Sequence, residues 1–362
     1  MTHMQLAMND FSIIGRGNYS TMLRGTLRGS GESVAVKAIR PYRTREPTCS
    51  KPSRSRLECV DAEEHMDIET EVYLLQNETL ICALDWRWTP RVYAVYRGEE
   101  ANHLRRSPLG FGPAAAIVME CMHSCLDQYL WTSWAAGHHD EACIAISDLM
   151  SALVAMHRLG LSHNDLMFRN VMVRKCAYNH ERTAPPPQSR SMTLARANGR
   201  EHVRVTWPVN PAYEVVLIDF GLSSVAEESP IRRSDPTGCS ALATQADRHS
   251  QFASQRTHDM SLQTGRHPLE MRMDLDRRHG MVDLMCVAYS VRDLFRRGAA
   301  SRCAPSDGAL PRWCGRFLKC MEDEATKICK LHMEELVCTI FPRDIRHVGF
   351  KRMGKNKTGH RS

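Results

Sequence analysis

The sequence predicts an α+β protein whose strands gather at its start and whose helices come later. Three observations carry that expectation. β-Branched runs on either side of Gly-rich punctuation fill the stretch "FSIIGRGNYSTMLRGTLRGSGESVAVKAIR". A helical periodicity covers 141–159, where Ile144, Leu149, Leu153 and Met156 hold one face and Gly160 marks the stop. A strongly apolar helix is then expected over "GMVDLMCVAYSVRDLF".

Between these lie the connecting elements, in order. "RGSGES" is a hairpin turn, and 41–60 is a Pro-, Ser- and Arg-rich loop. "DAEEHMDIETEVYLLQNE" has helical spacing, with an acidic first turn that suits the positive end of the helix dipole. "RVYAVYRG" and "AAAIVMECM" are strands, and "YEVVLIDFG" is a buried strand ending in a polar turn. Residues 175–210 are a low-hydrophobicity insertion, and 225–279 are mostly polar, long for a loop in a compact domain. Short helices are expected within 309–340, before the basic tail "FKRMGKNKTGHRS".

Composition narrows the class. Hydrophobic residues at 43% and charged residues at 25% are those of a soluble globular protein, and 362 residues suffice for one large domain or two lobes. The formal charge of +7 is mild and sits in local runs, as on a solvated basic surface. The fourteen cysteines form no C-x-x-C pair, and Cys82, Cys143 and Cys286 lie in apolar segments, so buried thiols in a reducing intracellular compartment are expected. Cys121, His123 and Cys125 lack an evident fourth zinc ligand. No apolar run reaches the roughly 18–20 residues of a spanning helix, and the first residues do not read as a signal peptide. The basic tail could touch nucleic acid or act as a nuclear signal, but it lacks aromatic interleaving, and a disordered terminus is the expectation for 343–362.

Four local patterns carry chemistry. In "GRGNYS", Gly15 and Gly17 flank a tight turn that lets backbone N–H groups approach phosphate, with Tyr19 near its tip. In "VAVK", strand alternation sets Lys37 on the same side as Ala35, and an apolar strand ending in Lys needs a partner; Glu71 is the best candidate and Glu69 its rival. In "HNDLMFRN", Asp165 and Asn170 can turn towards one cleft, a carboxylate for a hydroxyl proton and an amide oxygen for a metal. In "LIDFG", a buried strand ends in Asp219, a hard oxygen ligand of the kind Mg²⁺ prefers. Each pattern alone is also what an ordinary turn or surface would show.

Taken together and in this order, these residues resemble the signature set of eukaryotic-type protein kinases over about 11–295. The resemblance implies a bilobal kinase-like fold: an extension over 1–10, a small β-rich lobe and hinge over 11–122 with an insertion at 41–60, and a mainly helical, abbreviated large lobe over 123–342 with insertions at 175–210 and 225–279. It implies ATP and Mg²⁺ as cofactors and a protein hydroxyl, Ser or Thr, as acceptor. Gly15 and Gly17 would cover the phosphates, Met22 stands where the family's loop usually has Val, and Lys37 would hold the α/β-phosphates while paired with Glu71. Met119 sits at the gatekeeper position, and Glu120 to Met122 would offer backbone bonds to adenine. Asp165 would orient the substrate hydroxyl, Asn170 and Asp219 would hold Mg²⁺, and Asp283 would bond back to the catalytic-loop backbone.

The departures from that set matter as much. Ser20 replaces the third loop glycine, and Asn164 replaces the Arg that commonly receives an activation-loop phosphate, so phosphate-switched activation is not expected. Met167 stands where Ser/Thr kinases carry a Lys for the γ-phosphate; Arg169 resembles a tyrosine-kinase variant that supplies this charge. "HPLEM", with Pro268 and Glu270, is the nearest counterpart of the Ala-Pro-Glu motif. "HND" also resembles the loop of choline and ethanolamine kinases, and "IDFGLSS" with a basic tail resembles the small kinase subunit of the KEOPS complex. Insertions and a trimmed lobe are similar to those of divergent kinases of large DNA viruses. Two alternatives to an active protein kinase follow: a pseudokinase acting as a scaffold, and a small-alcohol kinase.

Overall fold

A computed structural model describes residues 8–16, 20–39, 69–84, 87–98, 113–176, 189–195, 202–208, 212–234 and 351–352, with isolated positions at 100–109, 210 and 283–294. Expectations for 41–60, 235–279 and 309–340, and for Gly17, Tyr19, Pro268 and Glu270, lie outside the described residues.

The protein is mixed α/β, with a β-rich N-terminal sheet and helices after it. Strands β1 (Met8–Arg16), β2 (Ser20–Leu27), β3 (Ser33–Ile39), β4 (Val92–Arg97) and β5 (Ala115–Glu120) form one antiparallel sheet in the order β1-β2-β3-β5-β4. The β2–β3 turn falls on "RGSGES", with Gly29 at φ 101° and Gly31 at φ 70°, conformations a side chain would strain. Strand alternation then divides β3 between two cores. Val34 and Val36 pack with Leu23, Ala116 and Val118 on one face, while Ala35 joins Ile117 and Met119 on the other.

That second face belongs to a continuous core shared with the helices. Helix α1 covers 69–76, and α2 (Glu78–Ala83) restarts at Asn77, whose side chain accepts a hydrogen bond from Leu80 N at 3.0 Å. After β6 (Ser124–Cys125) and α3 (Leu126–Ala135), the helix α4 (His139–Arg158) buries Ile146, Leu149, Leu153 and Met156 in this core. Ile144 is only half-buried. Gly160 ends the helix at φ 68°, and a Cβ there would stand 3.0 Å from that of Ala226.

Next come β7 (Leu161–Ser162), the loop 163–170, and β8 (Val171–Lys175), which pairs with β6 and with β11 (Tyr213–Leu217). The polar insertion at 175–210 is not a plain loop. It carries an antiparallel hairpin of β9 (Ser189–Ala195) and β10 (His202–Pro208), whose apolar positions alternate as Met192 and Leu194, then Val203, Val205 and Trp207. The tail expected to be disordered contributes a third strand: β13 (Lys351–Arg352) pairs with Val203 and Arg204. β12 (Ser224–Val225) pairs with β7, and α5 (Pro230–Ser234) follows. Described positions between 283 and 294 are helical, with Asp283, Cys286, Val287 and Val291 buried.

The expectation of buried thiols needs one correction. Cys286 is buried, but Cys82 is exposed, because it lies two residues from buried Leu80 and so on the other side of α2. The described cysteines are free thiols. No helix among the described residues is long and apolar enough to cross a membrane.

Candidate active site

The site forms where β3, α1 and the end of β11 converge. Lys37 Nζ lies 2.5 Å from Glu71 Oε2 and 2.7 Å from Asp219 Oδ1, partners 34 and 182 residues away in the chain. β3 supplies Lys37 on the face that carries Ala35, and α1 supplies Glu71 from its buried side. Glu69, the rival partner, instead pairs with Arg97 at 2.8 Å on the surface.

Electrostatics keep this centre charged but uneven. Burial works against the Lys37 ammonium, yet the carboxylates of Glu71 and Asp219 outweigh it and hold its pKa above the ordinary lysine value. Burial pushes the Glu71 carboxyl up, and Lys37 offsets only part of that. Glu71 Oε1 is buried with no hydrogen-bond partner among the described residues. Asp219 is the open member, with 42% of its side chain exposed.

The loop 163–170 is held by its own polar groups. Asn170 Nδ2 donates to the Asp165 carbonyl at 2.8 Å, and Asn170 O accepts from Ile218 N at 3.2 Å. That last bond brings Asn170 beside the residue preceding Asp219. His163 Nε2 donates to Ile218 O at 2.8 Å while its Nδ1 accepts from Asp165 N at 3.3 Å, which fixes the neutral tautomer with the proton on Nε2. The His163 and Phe220 rings pack at 5.0 Å between centroids. Asp219 has φ 66° and ψ 56°, a left-handed conformation that persists only when its surroundings hold it.

Beneath the loop, Asp283 is fully buried. Its carboxylate accepts from His163 N at 2.9 Å and Asn164 N at 2.6 Å, and lies 2.8 Å from His157 Nε2. Burial opposes the charge, but the hydrogen bond and charge of His157 and the His163 backbone N–H overcome it and lower the carboxyl below its ordinary value. The expected bond from Asp283 to the loop backbone is therefore made.

The remaining candidates are less closely drawn in. Gly15 sits at a register shift in the β1–β2 pair, and a Cβ there would meet Met22 at an ordinary 3.6 Å, so the backbone needs no glycine in this conformation. Met22, Ala35 and Met119 belong to the central core face. The Glu120 side chain turns away, accepting from Arg91 N at 2.9 Å and from Arg174 Nη1 at 2.7 Å. Arg174 also reaches the Arg87 carbonyl and lies 3.5 Å from Glu214, tying the sheet to β8 and β11. Arg169 is exposed, and Met167 packs on the core beside Ser290.

A divalent cation would find two hard donors here, the Asn170 amide oxygen and the Asp219 carboxylate. The Asn170 Nδ2 bond to Asp165 leaves its Oδ1 as the free end of the amide, and Asp219 is partly open to solvent. No cluster of three or more His, Cys, Asp or Glu exists among the described residues. Such a sparse donor set fits Mg²⁺, which keeps several waters and shares its shell with substrate phosphates.

Sequence reasoning missed two features. Asp148 on α4 accepts from Trp88 Nε1 at 3.0 Å and from Val215 N at 3.2 Å, joining the sheet's approach to the site strand. Asn164 donates through its side chain to Leu222 O and Ser224 Oγ, both at 3.0 Å. An apolar helix interrupted by Asp148 was a signal for the first.

No protein-family model and no curated protein matches this chain. A crystal structure of a kinase domain is similar, with a TM-score of 0.32 and 14% identity, covering 69% of this chain. The chain spans about 63% of that domain's length. So distant a likeness carries no argument by itself, and the functional reading is drawn from the site's own residues.

Proposed function

We propose that the chain is an ATP- and Mg²⁺-dependent kinase of bilobal form, transferring phosphate to a protein hydroxyl, Ser or Thr. The observation that carries this reading is Lys37 held between Glu71 and Asp219 beside the bonded pair Asp165 and Asn170. Lys37 stays an ammonium at neutral pH and has three N–H donors, of which Glu71 and Asp219 take two. The third is the donor for an α- or β-phosphate oxygen. Glu71 fixes where that ammonium points, so the charge is in place before the ligand arrives.

Asp165 accepts the proton of the incoming hydroxyl as its oxygen attacks the γ-phosphorus and the bond to the β-phosphate oxygen breaks. Asn170 and Asp219 would hold Mg²⁺, which supplies neutralising charge to the phosphates when bound. Met22, Ala35 and the Met122 N–H form the adenine side, and Gly15 with Gly17 and Tyr19 the phosphate lid. In this reading 11–122 form the small lobe and hinge, and 123–342 the large lobe.

The test uses purified chain with γ-labelled ATP and generic protein acceptors, beside Asp219→Asn. The expected loss in the variant is on the order of 10²–10³. Equal incorporation by both proteins overturns the reading, as does transfer only to choline or ethanolamine. Phosphoamino-acid analysis of the labelled protein distinguishes Ser and Thr from Tyr.

A further inference from the structure

We infer that Asn164 is a positioning residue whose side-chain amide fixes the segment after Asp219, and thereby where the Asp219 carboxylate stands. What Asp219 does rests on the kinase reading; what Asn164 holds rests on geometry alone. The left-handed backbone of Asp219 is tied down on both sides. On its N-terminal side, Ile218 is gripped by Asn170 O and His163 Nε2. On its C-terminal side the corresponding grip is Asn164 Nδ2, which spends its two hydrogens on Leu222 O and Ser224 Oγ, each at 3.0 Å.

Three further facts suit Asn to this task. Its backbone sits at φ 65°, a conformation Asn tolerates better than most residues. Its N–H is anchored to Asp283 Oδ1 at 2.6 Å, so the amide extends from a fixed base. The residue is buried, so water does not replace a lost donor. A further side-chain tie between the two segments, Ser223 Oγ to His163 O, is long at 3.4 Å.

This role is separable from space-filling. Asn164→Asp keeps shape and backbone tolerance but sets a carboxylate oxygen against the Leu222 carbonyl. Asn164→Ala removes volume and strains the backbone, and Asn164→Gly relieves the backbone while losing the amide. A donor role ranks Asp as the worst of these; Ala worse than Asp means that volume and backbone dominate.

The experiment is hydrogen–deuterium exchange on the full-length chain, with the Mg²⁺ dependence of phosphate transfer measured alongside. For Asn164→Asp, exchange at 222–226 is expected to rise about tenfold or more, the cost of losing buried hydrogen bonds, with the β2-β3-β5 amides unchanged. The Mg²⁺ concentration for half-maximal transfer should rise similarly, with the ATP KM at saturating Mg²⁺ unmoved. Ser224→Ala, which removes one acceptor, should show a smaller rise confined to the same residues. Unchanged exchange at 222–226 in both Asn164→Asp and Ser224→Ala overturns the inference. So does an Ala variant worse than Asp, or loss of protection throughout the chain in both Asn164→Asp and Asn164→Gly. If the wild type transfers no phosphate, the kinase reading fails while exchange still decides the role of Asn164.

Discussion

The charged centre around Lys37 and the frame around Asp283 both bury carboxylates, yet they treat them differently. In the centre, Glu71 keeps one oxygen buried without a hydrogen-bond partner among the described residues, and Asp219 stands partly open. In the frame, Asp283 is completely enclosed and meets two backbone N–H groups and a His ring nitrogen. Buried charge stabilises only when its hydrogen-bonding capacity is filled. The frame therefore has its hydrogen-bonding capacity filled, while in the centre Asp219 stays partly exposed, where the proposed kinase reading puts Mg²⁺.

The largest effect that would sharpen this contrast belongs to the frame. Asp283→Asn should lower stability by about 3–5 kcal/mol, because an amide hydrogen then faces N–H donors. Thermal unfolding measures it, and a loss near zero would break the comparison. The same carboxyl predicts a pH dependence. Its folded pKa is depressed, so its stabilisation is present above the ordinary value of 3.8 and is lost as pH falls below it. The stability gap between wild type and Asp283→Asn should narrow below that pH.

The centre should behave differently. Glu71→Gln is expected to reduce phosphate transfer about 10²-fold and to lower the unfolding temperature less than Asp283→Asn does, since Asp219 still pairs with Lys37. A large drop in unfolding temperature would erase the distinction between the two regions. Smaller effects probe the frame's edge. Trp88→Phe keeps the ring packing but removes the Trp88 Nε1 bond to Asp148, and should lower the unfolding free energy read from urea titration by about 1–3 kcal/mol with transfer rates unaltered. Asn77→Ala removes the α2 cap and should cost about 1 kcal/mol in the same measurement.

How much of this was legible in the sequence depended on how local each feature is. The alternation in "VAVK" puts Lys37 on the Ala35 face, and the structure has it so, because strand side chains alternate regardless of context. The helices around Leu149 and Asp283 and the strand before Asp219 carry strong local periodicity and were readable too. The hairpin at 189–208 was hidden by its polar surroundings, although its alternation was present. Asn164 read as a missing Arg, because a sequence records which group is absent but not which carbonyl stands 58 residues away. The joint made by Trp88, Asp148 and Val215 was invisible for the same reason.

The antiparallel register of β3 makes turn length a functional quantity. Lys37 is opposite Met22 on one side and Ile117 on the other. A slip of one residue in that ladder would turn every side chain of β3 over, presenting Val36 to Glu71 and sending the ammonium into the outer core among Leu23 and Val118. A single-residue insertion between Arg28 and Glu32, remote from any phosphate, is thus a frameshift in space. Variants of this chain should tolerate exchanges of residue type in that turn far more readily than changes in its length.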